Sequence, residues 1–253
     1  MAYKILEYEK QSKSLISNGE IEENKAIGLS HDNKAIRPFS NIFFLSKIWT
    51  DVGGEISEHP HKGFEILTYV IIGGVEHYDA KKKVWSKIGP GDFELLKARN
   101  GINQAVKVMQ GSEVIQIWFD PDVRQSLAQE YTCDIVRSND CRQEEKPGET
   151  IKILIDETTD LSLDSEEVNI YDYKLTPGNA ELKLKKHKFY TFYIIKGELE
   201  LNGTFVRENS LLLVKDEPVF EFIVSLHTRF LLIETPQKLS YKTYLQLKTE
   251  TNS

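Results

Sequence analysis

Short hydrophobic runs separated by glycine- and proline-bearing turns recur along most of the chain. Residues 40–50 alternate roughly and carry Ile42, Phe43, Phe44, Leu45, Ile48 and Trp49. Residues 64–72 end at Gly73-Gly74, and 84–88 end at Gly89-Pro90-Gly91, with further runs at 93–97 and 114–119. β-Branched and aromatic residues in segments of this length predict strands, and many short strands between such turns predict a sandwich or barrel. Residues 122–131 break the rhythm. Pro121 precedes them, Asp122 can cap a helix, and Val123, Leu127 and Tyr131 share a helical face, which predicts a short helix closing a first barrel. Residues 139–149 are polar and contain Pro147-Gly148, the composition of a link. A second strand series follows at 151–155, 168–175, 190–195, 198–201, 210–214, 219–224 and 229–234. The expected architecture is all-β, with two barrel domains at 1–138 and 150–253.

Composition narrows the classes. A chain of 253 residues has room for two compact domains of about 120 each. Its 32 basic and 39 acidic residues leave a net charge of −7, against direct nucleic-acid binding, which draws on phosphate neutralisation. Lys81-Lys82-Lys83 and the basic stretch 183–188 read as solvated turns or edge-strand lysines that block sheet-to-sheet aggregation. Seven residues separate Cys133 from Cys141, which is neither a zinc-ligand nor a thioredoxin-like spacing, and the two read as reduced and structurally minor. The charged N-terminus offers no apolar signal core, and no run approaches the ~18 apolar residues of a membrane span. A cytoplasmic, monomeric protein is the expectation.

Candidate chemistry concentrates in His59-Pro60-His61-Lys62-Gly63-Phe64-Glu65. Alternation along an extended strand would place His59, His61 and Glu65 on one face. Two imidazoles and a carboxylate inside a β-barrel suit a divalent transition metal such as Fe(II), with Ni, Zn or Cu open because affinity order alone does not select the ion.

The wider wording carries a resemblance. Gly53, five residues, His59-x-His61, three residues and Glu65, then a turn at Gly73-Gly74, resembles the first metal motif of the cupin barrels. HPHKGFEILTYV, GGVEHYDA, IGPGDFELL and GSEVIQIWFDPD together resemble the pirin family over roughly residues 35–122. That resemblance implies two cupin barrels, some family members being similar to quercetin 2,3-dioxygenases. It also implies a metal set completed by a His and, two residues later, a Glu in the second motif. Here Gln104 stands at the His position and Val106 at the Glu position. The chain keeps half of the implied set. Gln104 offers a weak neutral oxygen, Val106 offers no ligand, and Asn103 lies on the opposite parity.

Glu65 occupies the general cupin position for a carboxylate ligand, although in the pirin pattern an acid there accompanies the complete site without being a ligand. It can instead bond a backbone amide. The implied catalytic base is the second-motif glutamate, so Glu65 or Glu94 would have to replace it. His77 reads as structural or rim-placed, His187 and His227 as isolated. Gly197 to Gly203 repeats the Gly73-Gly74 hairpin weakly, without an HxH pair. Three functional readings follow. One is a small-molecule-binding or regulatory protein with weak or no metal, taking an aromatic or apolar ligand in the first barrel and acting through a protein partner. The others are a metal-dependent quercetinase-type dioxygenase and a metal-free structural relative.

Overall fold

A computed structural model of the protein describes residues 3–29 and 31–251. The chain divides into two compact units whose memberships interleave along the sequence. The first unit comprises Ser12–Asp140, Leu163–Ser165 and the segment from Ser240; the second comprises the segment to Gln11, Cys141–Ser162 and Glu166–Leu239. A boundary drawn between 138 and 150 therefore assigns both ends of the chain to the opposite unit.

The first unit is a seven-stranded antiparallel sheet and a four-stranded one. The larger runs Thr132–Val136, Phe93–Lys97, Glu65–Ile72, Ser112–Phe119, Ile42–Thr50, Ile21–Ile27, Ser12–Ile16. The smaller runs Gly54–His61, Ile102–Val108, Val75–Asp79, Val84–Ile88. Glu65–Ile72 is buried on both faces up to Ile72, which accounts for its near-continuous hydrophobic run. The helix spans only Val123–Leu127, with the Asp122 side chain accepting from the Arg124 amide as its N-cap. Residues after it return as the strand Thr132–Val136 along Phe93–Lys97. A C-terminal helix, Tyr244–Thr251, escapes the strand-based reading. It is tied down where the buried Asp120 carboxylate accepts from the Tyr244 amide at 2.7 Å.

The second unit repeats this plan strand for strand. Its larger sheet runs Tyr3–Leu6, Leu211–Lys215, Lys188–Lys196, Thr228–Pro236, Asn169–Leu175, Glu149–Ile155, Gln143–Lys146, and its smaller sheet Gly178–Lys183, Val219–Val224, Glu198–Leu201, Thr204–Arg207. The edge place that Thr132–Val136 takes in the first unit is filled here by the N-terminal strand Tyr3–Leu6. The segment expected to be a link is partly a hairpin, Gln143–Lys146 against Glu149–Ile155, turning at Pro147-Gly148. One clasp recurs in both units. The Ser112 hydroxyl accepts from the Gly74 amide and donates to its carbonyl, both at 2.9 Å. The Thr228 hydroxyl does the same to Glu198 at 3.1 and 3.0 Å. Gly73 and Gly197 precede these contacts at φ +70 and +81, where a Cβ would lie 2.3 Å from Ser112 Oγ and 2.5 Å from Thr228 Oγ1. Only glycine fits there.

The interiors differ. Val219–Val224 alternates strictly and turns Phe220 and Phe222 inward, where they join Phe192 and Phe230, with Tyr173 stacked on Phe230 at 5.1 Å. Each such ring contributes roughly 1.5–3 kcal/mol by leaving water. In the first unit one buried hydrophobic cluster gathers Ile21, Ile48, Val70 and Val114 and another gathers Ile66, Leu96 and Ile102, and His61, His77, Glu94 and Gln104 are buried as well.

Candidate metal centres in the first barrel

Gly54–His61 and Ile102–Val108 pair with Gln104 opposite His59 and Ile102 opposite His61. Alternation then carries His59, His61 and Gln104 to one face while Asn103 turns outward to donate to Glu58 at 3.0 Å. His61 Nε2 lies 2.9 Å from His59 Nε2 and 2.9 Å from Gln104 Nε2. His59 is half-buried, and its Nδ1 donates to the Ser57 carbonyl at 2.7 Å, leaving the Nε2 lone pair facing His61. His61 Nε2 has two neighbours but only one proton to give or one lone pair to offer. If it donates to His59, the amide must turn its oxygen toward that shared proton, and its nitrogen then takes the partnerless place that Oε1 holds as oriented. If it accepts from Gln104, two imidazole lone pairs meet at 2.9 Å, an arrangement that calls for a cation between them. Burial, then the neighbouring His59 and His77, hold the His61 pKa down to about 3, so the ring is neutral at neutral pH and able to ligate.

The donor spacing fits a metal ion. Cis ligands at the usual metal–nitrogen distance of ~2.0–2.1 Å stand about 2.9 Å apart. His59, His61 and Gln104, with its oxygen turned inward, would supply three neutral donors. Val106, next on this face, is buried among Ile21, Ile48, Val70 and Val75 and adds only dryness.

Glu65 is not brought to the histidines. The chain turns at Gly63, φ +82, and passes from the smaller sheet into the larger, so the parity that links His59 to His61 does not extend to Glu65. Its neighbour Ile66 packs with Leu96, Ala98, Ile102 and Trp118, and Glu65 points the other way. The fully buried carboxylate accepts from the Asp164 amide at 2.6 Å and the Ser165 amide at 2.8 Å. Asp164 is clamped in turn by Lys97 and Arg99, each at 2.9 Å. Glu65 thus anchors the Leu163–Ser165 segment, the backbone-amide role rather than the ligand or base role.

A second constellation was not foreseen. His77, Glu94 and Cys133 place an imidazole nitrogen, a carboxylate oxygen and a thiol sulfur within 4.8 Å of one another. His77 is buried rather than at the rim, with Nδ1 hydrogen-bonded to Glu94 Oε1. The Cys133 thiol donates to the same oxygen at 3.2 Å and lies 3.5 Å from His77 Nδ1. Cys133 and Cys141 form no disulfide.

Residues 20–119 match the model of the Pirin family. Over that stretch, about two fifths of its length, the chain is similar to the pirin family. The quercetin 2,3-dioxygenase of Escherichia coli K12 is 24% identical to it over 203 residues, 78% of the chain and 84% of that protein. Pirin-1 of Arabidopsis thaliana is 25% identical over 179 residues, 68% of the chain and 60% of that protein. The bacterial pirin YhhW of E. coli, solved with nickel(II), shares the fold at a TM-score of 0.77 and 19% identity, covering 93% of this chain and all of that one. The oxalate decarboxylase of Lactobacillus farciminis shares it at 0.65 and 11% identity, covering 98% of this chain and 90% of that one. The fold is that of two cupin barrels.

Beside the histidine strand a pocket of about 350 Å³ opens among His61, Lys62, Lys81, Asn100 and Asn103. Among the described residues, no helix is long and apolar enough to cross a membrane.

Proposed function

We propose that this protein is a binding protein whose first barrel takes a small anionic, preferably aromatic, oxygen ligand beside a weakly held divalent ion at His59, His61 and Gln104. The observation that carries this reading is that neither position 106 nor Glu65 offers the histidines a carboxylate, while Asp79, across the strand pair from Gln104, is held by the Tyr131 hydroxyl and the Lys82 amide. Val106 occupies the place where the pirin pattern has a glutamate, and both oxygens of Glu65 are taken by backbone amides. An all-neutral donor set leaves the ion's charge uncompensated, which favours weak binding and an anionic co-ligand. Lys62 and Lys81 at the pocket mouth have the charge to attract that ligand. When bound, the ion would polarise a ligand oxygen as a Lewis acid. His59 and His61 would orient it through their Nε2 atoms. With no free carboxylate beside them, removal of a ligand proton lacks a base, which separates binding from oxygenation.

Trp118 provides a local readout, its ring centred 5.1 Å from that of His61. Titration with Ni(II) should quench its emission, and His61→Gln should remove the quenching. A Ni(II) response that is unchanged in His61→Gln would overturn the reading.

A further inference from the structure

We propose that His77, Glu94 and Cys133 form a second metal site, built from donors separate from the histidine-strand set, that takes a thiophilic divalent ion of the zinc class. The three residues come from three strands: His77 from Val75–Asp79 in the smaller sheet, Glu94 from Phe93–Lys97 and Cys133 from Thr132–Val136 in the larger. Ile135 lies opposite Glu94 and Cys133 opposite Leu96, so the thiol reaches the carboxylate across the diagonal of one strand pair. His77 and Glu94 are 2% and 3% exposed, and Cys133 is half-buried, which leaves a way in.

Geometry and charge both favour an ion. Zinc binds sulfur at about 2.3 Å and imidazole nitrogen or carboxylate oxygen at about 2.0–2.2 Å, so tetrahedral sulfur-to-nitrogen and sulfur-to-oxygen separations fall near 3.5 Å. The corresponding separations are 3.5 Å and 3.2 Å. The His77–Glu94 contact is a hydrogen bond; an ion would replace its bridging proton and that of the thiol. Thiolate plus carboxylate then carry −2, which cancels a divalent charge inside the barrel, whereas His59, His61 and Gln104 cancel none. Sulfur among the donors selects zinc-class ions over magnesium or calcium. Three protein donors leave one tetrahedral position for water or a ligand. Loading must release protons, so affinity should rise with pH.

Cobalt(II) titration of the full-length, chelator-treated protein tests the site, because a cobalt–thiolate bond gives a near-ultraviolet charge-transfer band. The band should appear in the unmodified protein, persist in Cys141→Ser and in His59→Ala with His61→Ala, and vanish in Cys133→Ser. Zinc affinity should fall more than about 100-fold in Cys133→Ser, beyond the range usual for an outer-shell change. A spectrum without the band, a band that survives Cys133→Ser, or one lost with the two histidines would overturn the proposal. Should the variants misfold, alkylation of the unmodified protein decides. Zinc should protect Cys133 relative to Cys141, and equal labelling of Cys133 with and without zinc would overturn it.

Discussion

Val106 lies directly across the strand pair from His77. Side chains so paired have Cβ atoms roughly 4.5–5.5 Å apart, so the position that lost the pirin glutamate adjoins the imidazole of the second constellation. A buried carboxylate, Glu94, thus stands on the His77 side of that position.

Repair of the family pattern should be measurable. Val106→Glu alone should cost the metal-free protein about 1–3 kcal/mol, the penalty of a buried polar group left unpaired. Joined with Gln104→His, it should make stability metal-dependent. Ni(II) at a hundredfold excess over Kd should return about 2.7 kcal/mol. Thermal melts with and without Ni(II) check this; a double variant that gains no more than the unmodified protein would show that positions 104 and 106 do not face the histidines.

Glu65→Gln separates anchor from ligand. Glutamine keeps one acceptor oxygen for two amides, so stability should fall by about 1–3 kcal/mol while Ni(II) quenching of Trp118 stays as it was. A large loss of Ni(II) affinity at unchanged stability would restore Glu65 as a ligand.

These two cases mark what was legible in the sequence. The HxH alternation and the opposite parity of Gln104 and Asn103 carried over directly, because both pairs lie within continuous strands. Glu65 was misplaced because side-chain parity does not survive a turn through a left-handed glycine into another sheet. The His77–Glu94–Cys133 cluster has no short spacing to betray it, since its members lie 17 and 39 residues apart on three strands. The only local hint was that His77 shares the parity of the buried Val75 and Asp79. The N-terminal strands and the interleaved units were hidden for a similar reason. Residues 3–6 are short and polar-mixed, and only pairing with Leu211–Lys215 makes them a strand.

Asp120 gives a pH signature. Burial pushes its carboxyl up to about 6, against the Tyr244 amide that favours the charged form. An acid with a raised folded pKa contributes stability below its unfolded pKa and loses it as pH rises through the folded one. Asp120→Asn mimics the protonated form. Its stability should match the unmodified protein near pH 4 and exceed it near pH 7.5, by an amount on the order of 1–3 kcal/mol. Denaturant melts at both pH values check this; an advantage at pH 4 that disappears at pH 7.5 would reverse the assignment.

The repeated clasp predicts a graded glycine series. Gly73→Ala places Cβ 2.8 Å from Ser112 Cα as well as against its hydroxyl, at φ +70. Gly203→Ala at φ +79 meets nothing within 4 Å. Left-handed strain alone costs of order 1 kcal/mol, so Gly203→Ala should lose about that and Gly73→Ala distinctly more. Equal losses by denaturant melts would remove the clasp as a determinant of the fold.

Quercetin turnover tests the central claim, that the histidine face binds without a base. Oxygen uptake with quercetin should be followed for the protein loaded with Fe(II) or Ni(II), beside the Gln104→His, Val106→Glu double variant. The unmodified protein should consume no oxygen above the free-metal blank, and the double variant should gain turnover. Turnover by the unmodified protein that is lost in His61→Gln would contradict the account.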